Sequence, residues 1–244
     1  MNAQHLFTRC LEDIADEYHR LNHTLGYRFL LGPSSTLAAD TDILFLGLNP
    51  GGGVIPPDHP SDSCEQGPAF LNETWNAAAG RGNSALQQQV RAMFRDLAAM
   101  VPGSGDYSQL MNQTLLAYYI PFRSPDFARL PHKVASRQFA RRLWRGILGQ
   151  IGPRLIICIN NETFADLASI LEEIAGTQPE VVRSGVGWGN ISAELAMFNG
   201  GRGRTSLLRF PHLSRFRIFD RPESQPHTNS LLRQAISFSL YRKP

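Results

Sequence analysis

The sequence predicts an α/β protein, a three-layer α/β/α sandwich with a central, mainly parallel four-stranded sheet. Three observations lead there. Four short runs, Ile43–Leu48, Leu115–Ile120, Leu155–Ile159 and Thr205–Phe210, read as strands. The first is continuously apolar, the pattern of a strand buried on both faces. Helical patterns alternate with these runs, which calls for parallel strands joined by crossovers that cover both faces of the sheet.

The elements follow in order. Residues 5–30 read as a helix, with Leu6, Cys10, Ile14, Tyr18 and Leu21 at three- and four-residue steps, stopped by Gly32-Pro33. A Gly- and Pro-rich loop from Asn49 to Gly67 follows the first strand. A helix over Ser84–Met100 presents Leu86, Val90, Met93, Phe94 and Leu97 on one face, and Ser136–Gln150 is a basic amphipathic helix. The third strand passes through Asn160–Thr163 into the helical pattern Phe164–Ala175. Val181–Phe198 reads as an irregular strand pair, and Ser224–Leu240 as the closing helix.

Composition narrows the class. With 244 residues, 42% hydrophobic and 18% charged, the chain supports a real core, and a single domain over residues 1–244 is expected. No apolar run is long enough for a membrane span. The acids Glu12, Asp13, Asp16 and Glu17 stand where a signal peptide needs bases. Cys10, Cys64 and Cys158 have no metal or disulfide spacing, so a reduced, cytoplasmic protein is expected. Charge is divided unevenly: residues 1–122 hold 6 Arg and 12 acids, and residues 123–244 hold 18 bases and 9 acids. Arg123–Arg154 and Arg202–Arg221 concentrate the bases, which suits either a solvated basic face or a phosphate-facing one.

Ligands of such sheets bind beyond the carboxyl ends of the strands, which directs attention to Asn49–Gly53, Phe122–Pro125, Asn160–Thr163 and Pro211–Phe216. Leu46-Gly47-Leu48-Asn49-Pro50-Gly51-Gly52-Gly53 is the most unusual segment. Its glycines allow close backbone approach and free N–H groups for anions, yet it matches neither a P-loop nor a dinucleotide fingerprint. This segment resembles the first catalytic motif of the uracil-DNA glycosylase superfamily, in its Gly-x-Asn-Pro-Gly branches. Gln66–Phe70, Ile120–Pro125, Leu155–Asn161 and Pro211–Phe216 follow in the order of that superfamily's other segments, so the resemblance spans roughly residues 40–220.

The resemblance implies the superfamily's fold and hydrolysis of an N-glycosidic bond in DNA, with uracil or a related deaminated or damaged base as the leaving group. Asn49 and His212 take the catalytic positions. Gly47, Leu48, Pro50, Gly51, Phe70, Tyr118 and Ser214 would bind the base or substrate, with Phe70 stacking on it. Arg123, Leu213, Arg215, Phe216 and Arg217 would contact DNA, with Leu213, Arg215 and Phe216 at the wedge that fills the vacated stack. Tyr118 stands where the superfamily often has an asparagine. The residue types suit the chemistry: His212 as a neutral imidazole donates to the base oxygen, and Asn49 holds the attacking water without acting as a base. No metal or organic cofactor is expected, and the protein is expected to be a DNA-binding monomer with no membrane partner. A catalytically weak or inactive nucleotide- or nucleic-acid-binding member of the fold is the alternative. A small-molecule hydrolase using Asn49 and the triglycine loop as an oxyanion cradle is a third reading.

Overall fold

The computed structural model describes residues 3–53, 59–201 and 203–241. Arg202, which opens the second basic run, and residues 54–58 of the loop after Gly53 lie outside the described residues. The strands are β1 (Ile43–Gly47), β2 (Leu115–Tyr118), β3 (Leu155–Cys158), β4 (Glu180–Gly185), β5 (Ser192–Gly200) and β6 (Gly203–Arg209), in one sheet of order β2-β1-β3-β6-β5-β4. The helices are α1 (Ala3–Arg20), α2 (Ala69–Asn72), α3 (Ala85–Ala98), α4 (Tyr107–Gln113), α5 (Lys133–Leu148), α6 (Asn161–Ala175) and α7 (Gln225–Ser239).

The four expected strands are neighbours and pair in parallel, β2 with β1, β1 with β3 and β3 with β6. The sheet nevertheless has six strands rather than four. Val181–Phe198 is a regular hairpin, not an irregular pair, and adds β5 and β4 antiparallel to β6. Period-2 alternation explains this: Ala193, Leu195 and Met197 bury on one face of the sheet while Ala196 and Phe198 bury on the other.

The same alternation divides the core. Leu44, Leu46, Leu115, Ala117, Ile156 and Cys158 pack with α1, α5 and α6, and Ile43, Phe45, Leu116, Leu155 and Ile157 pack with α2, α3, α4 and α7. Trp144 of α5 donates from Nε1 to the Tyr119 carbonyl at 2.9 Å, and the Tyr119 hydroxyl donates to Asp166 of α6 at 3.0 Å. Arg137 adds a fork to the same carboxylate at 2.6 and 3.0 Å, so α5 and α6 are clamped together behind the end of β2.

The first helix stops at Arg20, ten residues short of the expected end. Asn22 (φ 51°) and Gly26 (φ 79°) take the left-handed region, and the chain then runs extended, bridging Tyr27 to Phe122 and Leu30 to Ala117. Phe29, Leu30 and Leu31 are fully buried there, covering the otherwise open edge of β2. Cys10, Cys64 and Cys158 are all free and buried, and burial pushes their thiols up to about 12, 11 and 12.

Phe45 sits at the centre of one half-core, edge-on to Phe70 (5.6 Å between ring centroids) and Phe94 (6.3 Å). Phe45→Ala should cost about 3–5 kcal/mol, read as a lower midpoint in chemical denaturation. A cost below ~1 kcal/mol would mean that this face of the sheet is not packed as described.

Candidate functional site

The chain leaves β1 for helices on one face of the sheet (α2, α3, α4) and leaves β3 for α6 on the other. Strand order reverses between β1 and β3, and such a switch point opens a crevice beyond the carboxyl ends. Asn49 follows β1 into this region, Asn160 follows β3, and His212 follows the neighbouring β6.

Asn49 is held by the turn after β2. Its amide nitrogen donates to Ser124 Oγ at 2.8 Å and lies 3.2 and 3.4 Å from the carbonyls of Pro50 and Phe122. Ser124 is fully buried; its hydroxyl donates to the Asp126 carbonyl, and its N–H to the Pro50 carbonyl. With the nitrogen engaged, Oδ1 is the atom left to accept from water or substrate. Pairing to the β2 side continues past the strand ends, Tyr119 N–H to the Gly47 carbonyl and Ile120 N–H to that of Leu48, both at 2.8 Å. Gly47 lets the Tyr118 ring approach closely: a Cβ there would lie 3.0 Å from two of its ring carbons, so the ring would have to shift by a few tenths of an ångström. Leu48 is half-buried against the α1-side core, and Pro50 is buried.

His212 lies in a tight turn in which its carbonyl accepts from the N–H groups of Arg215 and Phe216. Its Nδ1 is 2.9 Å from Ser214 Oγ. In the tautomer in which the hydroxyl donates to Nδ1, the ring proton sits on Nε2. Burial, reinforced by the Arg215 charge, lowers the His212 pKa below the usual histidine value, so the ring is a neutral donor near pH 7.

Asn49 and His212 both follow strands that end at the same edge of the sheet. Leu46 pairs with Cys158 and Cys158 with Arg209, and Asn49 and His212 each stand three residues beyond that row. Only β3 lies between β1 and β6, a lateral separation of two strand spacings, about 10 Å. Between them Asn160 caps α6, its Oδ1 accepting from Thr163 N–H at 2.7 Å, while its Nδ2 is buried without a partner among the described residues. Asn160 opens one of the strand-end segments, Asn160–Thr163, to which the sequence directs attention.

Other expected site residues are placed differently. Phe70 is 1% exposed and packs edge-on against Phe45 and Trp75, so it belongs to the core and offers no stacking face. Leu213 is fully buried: the turn at His212 curls it into the α7-side core, where it is no wedge. Phe216 is half-exposed and meets Trp188 of the β4–β5 hairpin edge-on at 6.2 Å, with the Arg221 guanidinium 4.3 Å from the Trp188 ring centre. Ser214, Arg215 and Arg217 are exposed; Arg217 donates to Gln88, and the Arg215 side chain has no carboxylate partner among the described residues. Arg123 is 6% exposed and donates to the Gly51 carbonyl at 2.5 Å, bracing the triglycine loop from inside.

Sequence reasoning also missed a buried polar cluster behind Tyr118. Arg28 forms a two-pronged ion pair with Glu73, one prong at 2.8 Å, and also donates to Cys64 at 3.0 Å. Trp75 Nε1 donates to Glu73 at 2.7 Å. Burial opposes charge on Glu73, but the Arg28 guanidinium outweighs it and holds the carboxyl below its usual range. Burial raises the Tyr118 pKa, so its phenol is protonated. Nothing local in the sequence signals a pair 45 residues apart.

Among the described residues no group of three or more His, Cys, Asp and Glu converges as a metal site, and no helix is long and apolar enough to cross a membrane. A cavity of about 680 Å³ lies at the opposite end of the sheet, but there Asp42 and Arg154 satisfy each other at 2.7 and 2.8 Å.

His23, buried against Phe122 (ring centroids 4.4 Å apart), also has its pKa lowered, by burial and by His132. Both histidines are then neutral in the fold at pH values where the unfolded chain takes up the second ring proton. Stability should be full above about pH 6.5 and fall as the pH drops from there toward the folded values. Denaturant midpoints at pH 7.5 and 5.5 measure this, and His23→Gln should flatten the difference. A midpoint that rises on acidification would show that the rings are charged in the fold. No family model matches the chain, and no curated protein matches it either, so the functional reading rests on this geometry.

Proposed function

We propose that the protein is a uracil-DNA-glycosylase-like hydrolase that cleaves the N-glycosidic bond of a deaminated or damaged base in DNA. The observation that carries this reading is that Asn49 and His212 follow strands ending at the same edge of the sheet, on either side of β3, with His212 neutral and its Nδ1 beside Ser214. As the bond breaks, the sugar gains oxocarbenium character and the base gains negative charge. His212 Nε2–H donates to the base oxygen where that charge appears, and Asn49 Oδ1 orients the water that attacks the sugar carbon. An amide takes no proton, so the water's proton passes to solvent after attack. Arg215, Arg217 and Phe216 supply an exposed basic and aromatic flank for DNA next to the turn.

A second reading, a binding protein of the same architecture with weak or lost chemistry, draws on the burial of Phe70 and Leu213. Incubation with oligonucleotides bearing uracil, hypoxanthine or xanthine, followed by alkali, separates the two: strand breaks at the modified base mark the hydrolase, and salt-sensitive binding without breaks marks the binder.

For the hydrolase, His212→Ala should lower the chemical rate by about 2.7–4 kcal/mol while leaving DNA affinity nearly unchanged. The rate should be level above about pH 6.5 and decline below it as His212 takes up a proton. Asn49→Asp should keep or raise the rate, because a carboxylate beside the Pro50 and Phe122 carbonyls is an effective base. Single-turnover cleavage measures all three. An unaltered rate in His212→Ala would remove His212 from the mechanism.

A further inference from the structure

Arg28 and Arg123 share a face of a short antiparallel ladder. Tyr27 opposes Phe122, Arg28 N–H donates to the Pro121 carbonyl, and Arg123 N–H donates to that of Gly26. Side chains alternate across such a ladder, so Tyr27 and Phe122 point one way while Arg28 and Arg123 point the other, on diagonal positions about 7–8 Å apart. Arg28 is 3% exposed and Arg123 6%. Among the described residues Glu73 is the one carboxylate bonded to Arg28 and none is bonded to Arg123, and both Glu73 oxygens are taken by Arg28 and Trp75. Cys64 and Tyr118 remain protonated, so they supply no compensating charge. The Nε–H of each arginine is buried with no partner among the described residues. The cluster therefore carries an excess positive charge on the Arg123 side, and an uncompensated buried charge costs several kcal/mol.

Arg123 reaches the triglycine loop through the Gly51 carbonyl. Gly51, Gly52 and Gly53 are exposed, and their three N–H groups have no hydrogen-bond partner among the described residues. Gly52 adopts φ 88°, and a Cβ at Gly51 or Gly53 would meet nothing within 4 Å. Successive free N–H groups around a left-handed residue form a concavity for an anion, and here a guanidinium with unspent charge lies behind it.

We propose that the triglycine loop and Arg123 together form an oxyanion site that takes a phosphate group. The ligand's oxygens accept from the loop N–H groups and offset the charge of Arg123. The site does not depend on glycosidic cleavage. A phosphodiester of a DNA strand and the terminal phosphate of a nucleotide share this chemistry.

The test uses the full chain and inorganic phosphate, by calorimetric titration and thermal denaturation against chloride at equal ionic strength. Phosphate should bind saturably and raise the melting temperature. Arg123→Gln should weaken binding by about tenfold or more, the loss of a charge-assisted contact. Arg233→Gln, on the exposed face of α7, should leave it unchanged. Should Arg123→Gln fail to fold, Arg123→Lys keeps the charge and loses the fork, and it should bind more weakly than the parent. Phosphate acting no better than chloride, or equally on parent and Arg123 variants, would overturn the site. Oligothymidylate with or without a 5′-phosphate, and with internal methylphosphonates, then identifies the source: Arg123-dependent loss on removing the terminal group points to a monoester, and loss on neutralising internal links points to a strand. Phosphate binding that persists in a protein inactive on every modified base would defeat the hydrolase reading and leave this one standing.

Discussion

The row of paired residues through Leu46, Cys158 and Arg209 is the constraint on which the candidate site depends. Three parallel strands in fixed register end together, so whatever follows them is delivered to one edge of the sheet. A one-residue slip would turn each strand's side chains to the opposite half-core. Phe45, for example, would move from among Phe70 and Phe94 to the α1 side. The interior therefore fixes where the strands that lead to Asn49 and His212 end.

Around that row the polar groups follow a division of labour. Those under the crevice are locked: Ser124 and the Pro50 carbonyl fix Asn49, and Ser214 fixes the ring of His212. Gln87, fully buried in the first turn of α3, donates to the carbonyls of Ala69 and Glu73 and so holds the loop that carries the carboxylate facing Arg28. Each arrangement removes rotameric freedom before any ligand arrives, which is how preorganised dipoles act on developing charge.

The sheet was legible in the sequence because buried parallel strands write themselves as unbroken apolar runs. Ile43–Leu48 and Leu155–Ile159 need no partner to be recognised. Asn49 and the glycines after it were legible because their residue types are rare in that setting. Direction was not legible. Phe70 lies in the one-turn helix α2 and Leu213 and Phe216 lie in a loop; all three are apolar, and only the packing of α2 against β1 and the turn at His212 decide which face inward. The hairpin of β4 and β5 was blurred by its exposed edge strand, where Glu180, Val181 and Arg183 hide the alternation that β5 shows plainly. The Arg28–Glu73 pair joins residues from separate segments, a long-range fact that no local pattern encodes.

The three free cysteines have a consequence of a different kind. They sit on α1, in the loop before α2, and on β3, and each is buried and protonated at neutral pH. A thiol in that state reacts only when its surroundings open, because the thiolate is the nucleophile. The chain thus carries three internal clocks of its own breathing. Modification of Cys10 times the release of the first helix, and Cys64 times the loosening of the loop beside Glu73. Cys158, at the centre of the sheet, is reached only when the whole molecule unfolds.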